Sequence, residues 1–336
     1  MSTHDGHQKT FTTPSFAQYK EAQKRIVMCT AADFMQAQIA AAAGVDCILV
    51  GDSLGMTTLG YDSTLPVTMD DMLRATAAVV RGAPSSYVIA DMPFMSYQHS
   101  HAEGMKSAAR LISEAGASAV KVEGASFEAV AFIESLVSAG VPVVGHLGLL
   151  PQSINQLGSY HTQAKEVDDI VRLMMDTHAV MTAGVYAIVL ECVPQEVAAV
   201  LGEMHTLPMI GIGSGPACDG EVQVLHDILG LSDYNPRHAK RYLNGAELLG
   251  NALEQFVQEA RSGNFPTRDQ SVSIDESVVE AATPVFIERL IEQVELMDGN
   301  VEFLSEDGDI NLEPNFDVDP EDGSRFFQGG GRAHLN

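Results

Sequence analysis

Residues 119–146 read AVKVEGASFEAVAFIESLVSAGVPVVGH, and the fold is decided there. Ala119 to Val122 is a short run of small and β-branched residues that ends at Glu123-Gly124, the composition of a buried strand. Phe127 to Ala139 then sets apolar side chains at helical spacing, and a second β-branched run, Val141 to Gly145, starts directly after a glycine. Strand, helix and strand in one segment make a βαβ unit with parallel strands. The same unit recurs in both directions. The candidate strands are Arg25 to Cys29, Cys47 to Val50, Tyr87 to Ala90, Ala119 to Val122, Val141 to Gly145, Ala187 to Leu190, Pro208 to Ile212 and the weaker Val222 to Leu225. Between them lie helical windows at Phe34 to Ala43, Met69 to Val80, His101 to Glu114, Phe127 to Ala139, Val167 to Ala183 and Glu196 to Met204. Several strand runs are apolar throughout, as expected when both faces are covered. Eight such units over roughly 240 residues predict a (β/α)8 TIM barrel, with an open doubly wound sheet as the alternative.

Composition narrows the function classes. The chain has 336 residues, 46% hydrophobic and 19% charged, too apolar for a disordered protein. Its formal charge of −26, without a basic stripe, argues against a nucleic-acid partner. No apolar run is long enough to span a bilayer, and the N-terminus lacks the features of a secretory signal, so a cytoplasmic protein is expected. Cys29, Cys47, Cys192 and Cys218 are isolated and read as buried free thiols. The charge is uneven: residues 267–336 hold 17 Asp or Glu against 4 Arg, a net of −13 and half of the total excess. This predicts a catalytic barrel over 1–266 and an acidic extension over 267–336. Within the extension, Glu276 to Leu296 is expected to form one or two amphipathic helices broken near Pro284, followed by a solvated tail.

Barrels gather function at the C-terminal ends of their strands. Gly51-Asp52-Ser53 follows the second run, Asp91 the third, Lys121 and Glu123 close the fourth, His146 the fifth and Glu191 the sixth. A Gly-rich segment, Gly211 to Gly215, follows the seventh. Lys121 and Glu123 are two apart, so strand alternation turns both toward the lumen as near neighbours. Each residue taken alone has a structural explanation: Asp52 as a helix cap, Asp91 as a turn residue, Lys121 and Glu123 as an ion pair, His146 as a core histidine, the glycines as turn formers. Ionisable residues ending five successive strands at one rim favour a site instead. Carboxylates without cysteine make a hard oxygen environment suited to Mg2+ with waters and substrate completing its shell. Such an ion stabilises the enolate of a 2-oxo acid, Lys121 adds positive charge, and Glu191 is placed as base, which calls for burial beside Leu190 and Val193. These residue types point to proton abstraction next to a carbonyl and to no particular electrophile.

The segments VGDSLGMTTLGYDSTLPVT (50–68), ADMPFMSY (90–97), VKVEG (120–124), GHLGLLPQSINQLG (145–158), LECVP (190–194) and IGIGSGPACDG (210–220) closely resemble the ketopantoate hydroxymethyltransferase family. The resemblance runs in order over about residues 14–266. It implies a TIM barrel assembled as a homo-oligomer, a decamer, making ketopantoate from 2-oxoisovalerate and 5,10-methylenetetrahydrofolate in the first step of pantothenate synthesis. It further implies that Asp52 and Asp91 hold Mg2+ with Glu123 close to it, that Ser53 and Lys121 bind the oxo acid, that Glu191 is the base and that His146 supports it. Two stretches depart from the family. GGYKVQG is here Gly158-Ser159-Tyr160-His161-Thr162-Gln163-Ala164, in a loop that could border the folate entry, and T-x-YD is Thr30-Ala31-Ala32-Asp33. Two other functions are alternatives: a carbon–carbon lyase or mutase sharing oxo-acid enolate chemistry, which lacks its usual reactive cysteine loop here, and a scaffold acting through the acidic tail.

Overall fold

The computed structural model describes residues 11–296 and the short strands Phe316–Val318 and Arg325–Phe327. The chain divides into two compact units, residues 1–255 and 256–336. In the first, eight parallel strands close into a barrel in sequential order. They are β1 (Ile26–Thr30), β2 (Cys47–Val50), β3 (Tyr87–Asp91), β4 (Ala119–Glu123), β5 (Val143–Gly148), β6 (Ala187–Glu191), β7 (Met209–Ile212) and β8 (Gly220–Gln223). Closure is the β1–β8 pairing, with Ile26 opposite Gly220 and Met28 opposite Val222. All eight expected strands are present. The eighth begins two residues early, because a short strand with the polar, half-buried Glu221 and Gln223 carries little apolar signal.

The helices of this unit are α1 (Thr13–Glu21), α2 (Phe34–Ala42), α3 (Leu54–Thr57), α4 (Met69–Gly82), α5 (His101–Ala109), α6 (Phe127–Ser138), α7 (Ile154–Leu157), α8 (Val167–Thr182), α9 (Gln195–Met204) and α10 (Leu225–Leu229). Their starts follow from side-chain caps. Asp33 accepts the Gln36 N–H (2.8 Å), Ser126 accepts the Ala129 N–H (3.2 Å), and Thr68 forms a reciprocal box with Asp71. The window from His101 to Glu114 is one continuous rod whose last turn, Arg110–Glu114, widens into a π-helix.

Two apolar layers hold the barrel. The outer one packs strands against helices, with Ile48, Val88, Val120, Val122 and Ile188 facing Met72, Phe132 and Leu201. The inner one fills the lumen with the alternate residues Ile26, Met28, Cys47, Leu49, Ile89, Ala119, Val144, Val189 and Ile210. At the N-terminal end the lumen is plugged by α1, whose Phe16 is fully buried and packs edge-on against Tyr186 at 4.9 Å between centroids. Burying that one ring contributes roughly 1.5–3 kcal/mol. With apolar side chains filling the lower lumen, polar residues of the same strands are left at the upper rim.

In the second unit, α12 (Glu276–Leu296) is one continuous helix with Pro284 inside it, so the expected break does not occur. Proline removes one N–H from the ladder there, and the neighbouring Thr283 hydroxyl donates to the Val279 carbonyl (2.9 Å). α11 (Gly245–Ser262) runs across the division between the units. The expected mobile tail lies largely outside the described residues. Among the described residues no helix is long and apolar enough to cross a membrane. All four cysteines are free, and three are buried while Cys192 is half-buried.

Candidate active site

Strand alternation delivers the site. Ile89 and Ala119 face the lumen, so Asp91 on β3 and Lys121 and Glu123 on β4 face it too; Val144 and Val189 do the same for His146 on β5 and Glu191 on β6. Asp52 joins from the turn after β2. Asp52, Asp91, Lys121, Glu123 and His146 are all buried, while the Glu191 side chain keeps 17% exposure at the rim, so its burial is only partial.

The contacts are short and shared. The Asp52 N–H donates to Asp91 Oδ2 (3.0 Å), and Lys121 Nζ lies 3.1 Å from Asp91 Oδ1 and 3.0 Å from His146 Nδ1. His146 joins two carboxylates, with Nδ1 3.2 Å from Glu123 Oε1 and Nε2 3.2 Å from Glu191 Oε2. Lys121 and Glu123 are thus neighbours through His146. The capping explanation for Asp52 does not hold: Ser53 is the residue before α3, and the Asp52 carboxylate is taken up by Gln152, whose Nε2 donates to Oδ2 at 2.8 Å. A Cβ placed on Gly51 would lie 3.0 Å from Ser53 Oγ and 3.5 Å from Asp91 Oδ2, so the Ser53 hydroxyl stands at the edge of the same cluster.

Electrostatics follow from this crowding. Burial, then the charges of Asp91 and Glu123, raise the Asp52 carboxyl well above its ordinary range, against Lys121 and Gln152. Burial also raises Asp91, opposed by Lys121 and the Asp52 N–H. Burial works against the charged form of Glu123, but His146 and Lys121 prevail and hold it low. For Lys121 burial is outweighed by Asp91, Glu123 and Asp52, which hold the ammonium up. Burial and the Lys121 charge lower His146, yet Glu123 and Glu191 overcome both and push it up to about 9. The cluster therefore gathers four acidic side chains around one lysine and one histidine.

Asp91 Oδ1 and Glu123 Oε1 are buried without a well-aligned hydrogen bond, each met at ion-pair distance by Lys121 or His146, so these hard oxygens keep acceptor capacity. Among the described residues no three His, Cys, Asp or Glu side chains form a ready-made metal cage. The hard oxygens are of the kind that hold a cation such as Mg2+ with water and substrate completing its shell.

Several residues of the site carry no weight in a reading by residue type. Gln152 Nε2 also donates to the Met92 carbonyl (2.9 Å), its backbone N–H donates to Glu123 Oε2 (3.2 Å), and its Oε1 accepts from Gln98 (3.1 Å). The Tyr97 hydroxyl accepts the Glu123 N–H (3.2 Å) and donates to the Glu123 carbonyl (3.3 Å). Gly148, at φ +90°, lets the chain pass so close to Glu191 that an added Cβ would collide with the Glu191 carbonyl and lie 2.7 Å from Val193 Cγ2. Both Tyr97 and Gln152 lie in segments the sequence singles out, but an uncharged side chain after a strand is a weak signal. The glycine-rich turn after β7 is structural: Ser214 Oγ donates to the Leu190 carbonyl (2.7 Å) and accepts the Val193 N–H (3.2 Å), bracing the strand end that carries Glu191.

The sequence profile of the ketopantoate hydroxymethyltransferase family matches residues 10–268. The chain is 45% identical over 271 residues to the 3-methyl-2-oxobutanoate hydroxymethyltransferase of Acetivibrio thermocellus, covering 80% of this chain and 95% of that one. It is 46% identical over 270 residues to the enzyme of the same name from Halalkalibacterium halodurans, covering 80% and 96%. Among solved structures it resembles phosphonopyruvate hydrolase complexed with oxalate and Mg2+, at a TM-score of 0.53 and 14% identity over 86% of this chain and 99% of the other, a likeness of fold.

Proposed function

The chain belongs to the ketopantoate hydroxymethyltransferase family, and from that membership we propose that its barrel mouth transfers a hydroxymethyl group from 5,10-methylenetetrahydrofolate to 2-oxoisovalerate, giving ketopantoate. The observation that carries this reading is the convergence of Asp52, Asp91, Lys121, Glu123, His146 and Glu191 at one rim. In it, residues 1–266 carry catalysis as a cytoplasmic homo-oligomer, a decamer, and 267–336 are an acidic extension.

Asp52 and Asp91 would hold Mg2+, with Glu123 close by, and the ion when bound would supply Lewis-acid stabilisation of the oxo acid's developing enolate. Ser53 and Lys121 bind the substrate's carboxylate and oxygens. Lys121 also fixes Asp91 by its ion pair, so the carboxylate keeps one orientation as charge changes around it. Glu191, facing the lumen at the open end, takes the C3 proton of 2-oxoisovalerate. His146 stands behind it with Nε2 3.2 Å from Glu191 Oε2, an ion-pair contact that steadies the carboxylate and its orientation. The enolate carbon then attacks the methylene carbon of the iminium ion formed when one C–N bond of the folate bridge opens, and water displaces the remaining nitrogen, supplying the product hydroxyl and releasing tetrahydrofolate.

The test is solvent exchange. The protein should exchange the C3 proton of 2-oxoisovalerate for deuterium in the presence of Mg2+, without any folate, and the Glu191→Gln variant should lose that exchange. Undiminished exchange in the variant removes Glu191 as base, and absence of exchange in the wild type removes the enolate mechanism.

A further inference from the structure

The loop after α7 crosses the barrel mouth. At one end the Gln163 N–H donates to the Cys192 carbonyl (2.9 Å), the residue next to Glu191. At the other, the Tyr160 hydroxyl lies 4.0 Å from Met56 Sδ on α3, the helix that starts beside Asp52 and Ser53. Tyr160 therefore sits over the opening, between the proposed base and the proposed metal ligands. Tyr160 is 46% exposed and Met56 40% exposed, so an aromatic and a thioether side chain are both partly open to solvent at this point. Partial burial and then the charges of Glu191 and Asp52 raise the Tyr160 hydroxyl, as its place above them requires.

The loop is braced rather than loose. The His161 ring lies 2.9 Å from the Ser159 carbonyl, and Gln163 Nε2 donates to the His161 carbonyl (2.9 Å). Below, the lumen is filled by paired charged side chains and apolar residues, so a carrier with a flat bicyclic ring is placed at the open end. A carrier with such a ring must offer its carbon from outside, with the reacting atoms about 3–3.5 Å apart. An exposed aromatic face on a preorganised loop is the feature that holds a planar ring there, since stacking needs little ordering of the protein.

We propose that Tyr160, with Met56 beside it, is the stacking platform for the pterin ring of the one-carbon carrier, holding that ring across the mouth between Asp52 and Glu191. The inference rests on the reading of a tetrahydrofolate as co-substrate. It assigns Tyr160 to carrier binding and gives it no part in enolate formation.

The experiment is calorimetric titration of the full-length protein, with Mg2+ and 2-oxoisovalerate present, by tetrahydrofolate. Tyr160→Ala and Tyr160→Leu should each weaken binding about tenfold, the scale of one ring-on-ring stack, while Tyr160→Phe stays close to wild type. Folate-independent C3 exchange and the KM for 2-oxoisovalerate should keep their wild-type values in all three. A loss smaller than about threefold in the Ala and Leu variants overturns the proposal. So does an equal loss in Tyr160→Phe, which would make the hydroxyl the contact, or a parallel loss of exchange, which would place the ring in the oxo-acid site. A wild type that exchanges C3 but does not bind tetrahydrofolate sinks the co-substrate reading itself, a result distinct from normal binding by the Ala variant.

Discussion

Replacing Gln152 by leucine keeps its volume and deletes its amide. The amide donates to Asp52 Oδ2 at 2.8 Å and to the Met92 carbonyl at 2.9 Å, and accepts from Gln98 at 3.1 Å, all from a side chain that is 6% exposed. A hydrogen bond to a charged acceptor is worth about 1.5–3 kcal/mol, and a buried carbonyl left without a donor costs about 1–3 kcal/mol. Together they amount to roughly 3–5 kcal/mol, or a fall of about 10 °C in melting temperature for a domain of this size. The backbone N–H of residue 152 still reaches Glu123 Oε2, so the loss is confined to the Asp52 side. Losing the partner that orients a ligand should weaken Mg2+ binding about 10–100-fold. Thermal melts with and without Mg2+, and calorimetric titration with Mg2+, read both effects. Gln152→Glu, of the same shape but adding a carboxylate beside Asp52, should melt lower still without metal and recover more when Mg2+ is added. A Gln152→Leu protein with the wild-type melting temperature and the wild-type Mg2+ affinity would refute the reasoning.

Gly148→Ala forces a left-handed residue against the Glu191 carbonyl, costing about 1–3 kcal/mol in backbone strain alone, and should slow C3 exchange while Mg2+ affinity, measured by titration, holds. Asp91→Asn leaves Lys121 without its carboxylate partner, a loss of about 3–5 kcal/mol for a broken buried pair, so melting should fall and Mg2+ should no longer restore it. Glu221, on β8 and away from the site, has its carboxyl raised by burial, against Gln223 and Arg25. A raised carboxyl contributes stability that is present below its unfolded pKa and lost as pH rises through the folded one. Glu221→Gln should therefore raise the melting temperature at pH 7.5, and the gain should shrink toward pH 4; an equal gain at both values would show that charge is not the cause.

Much of the barrel is legible without coordinates because strands covered on both faces must be apolar throughout, and Cys47–Val50 and Tyr87–Asp91 are buried at every position. β8 is less distinct since Glu221 and Gln223 break the run, and Pro284 misleads because one missing ladder bond is tolerated within a longer helix. The charged site residues also show in the sequence, for a carboxylate at the end of a buried strand is costly unless something uses it. Gln152 and Tyr97 do not stand out, because an amide or a phenol gains its role only from what surrounds it.

The sequence by itself determined which residues face the lumen, since alternation along a strand is a local property of each residue and its neighbours: Lys121 and Glu123 share a face whatever the rest of the chain does. Only the tertiary structure decided that His146 lies between Glu123 and Glu191, that Gln152 reaches back to Asp52, and that Tyr160 lies across the mouth beside Met56. Those contacts join residues far apart in the chain, and their distances are set by barrel closure and loop paths, for which no local pattern of side chains carries a record.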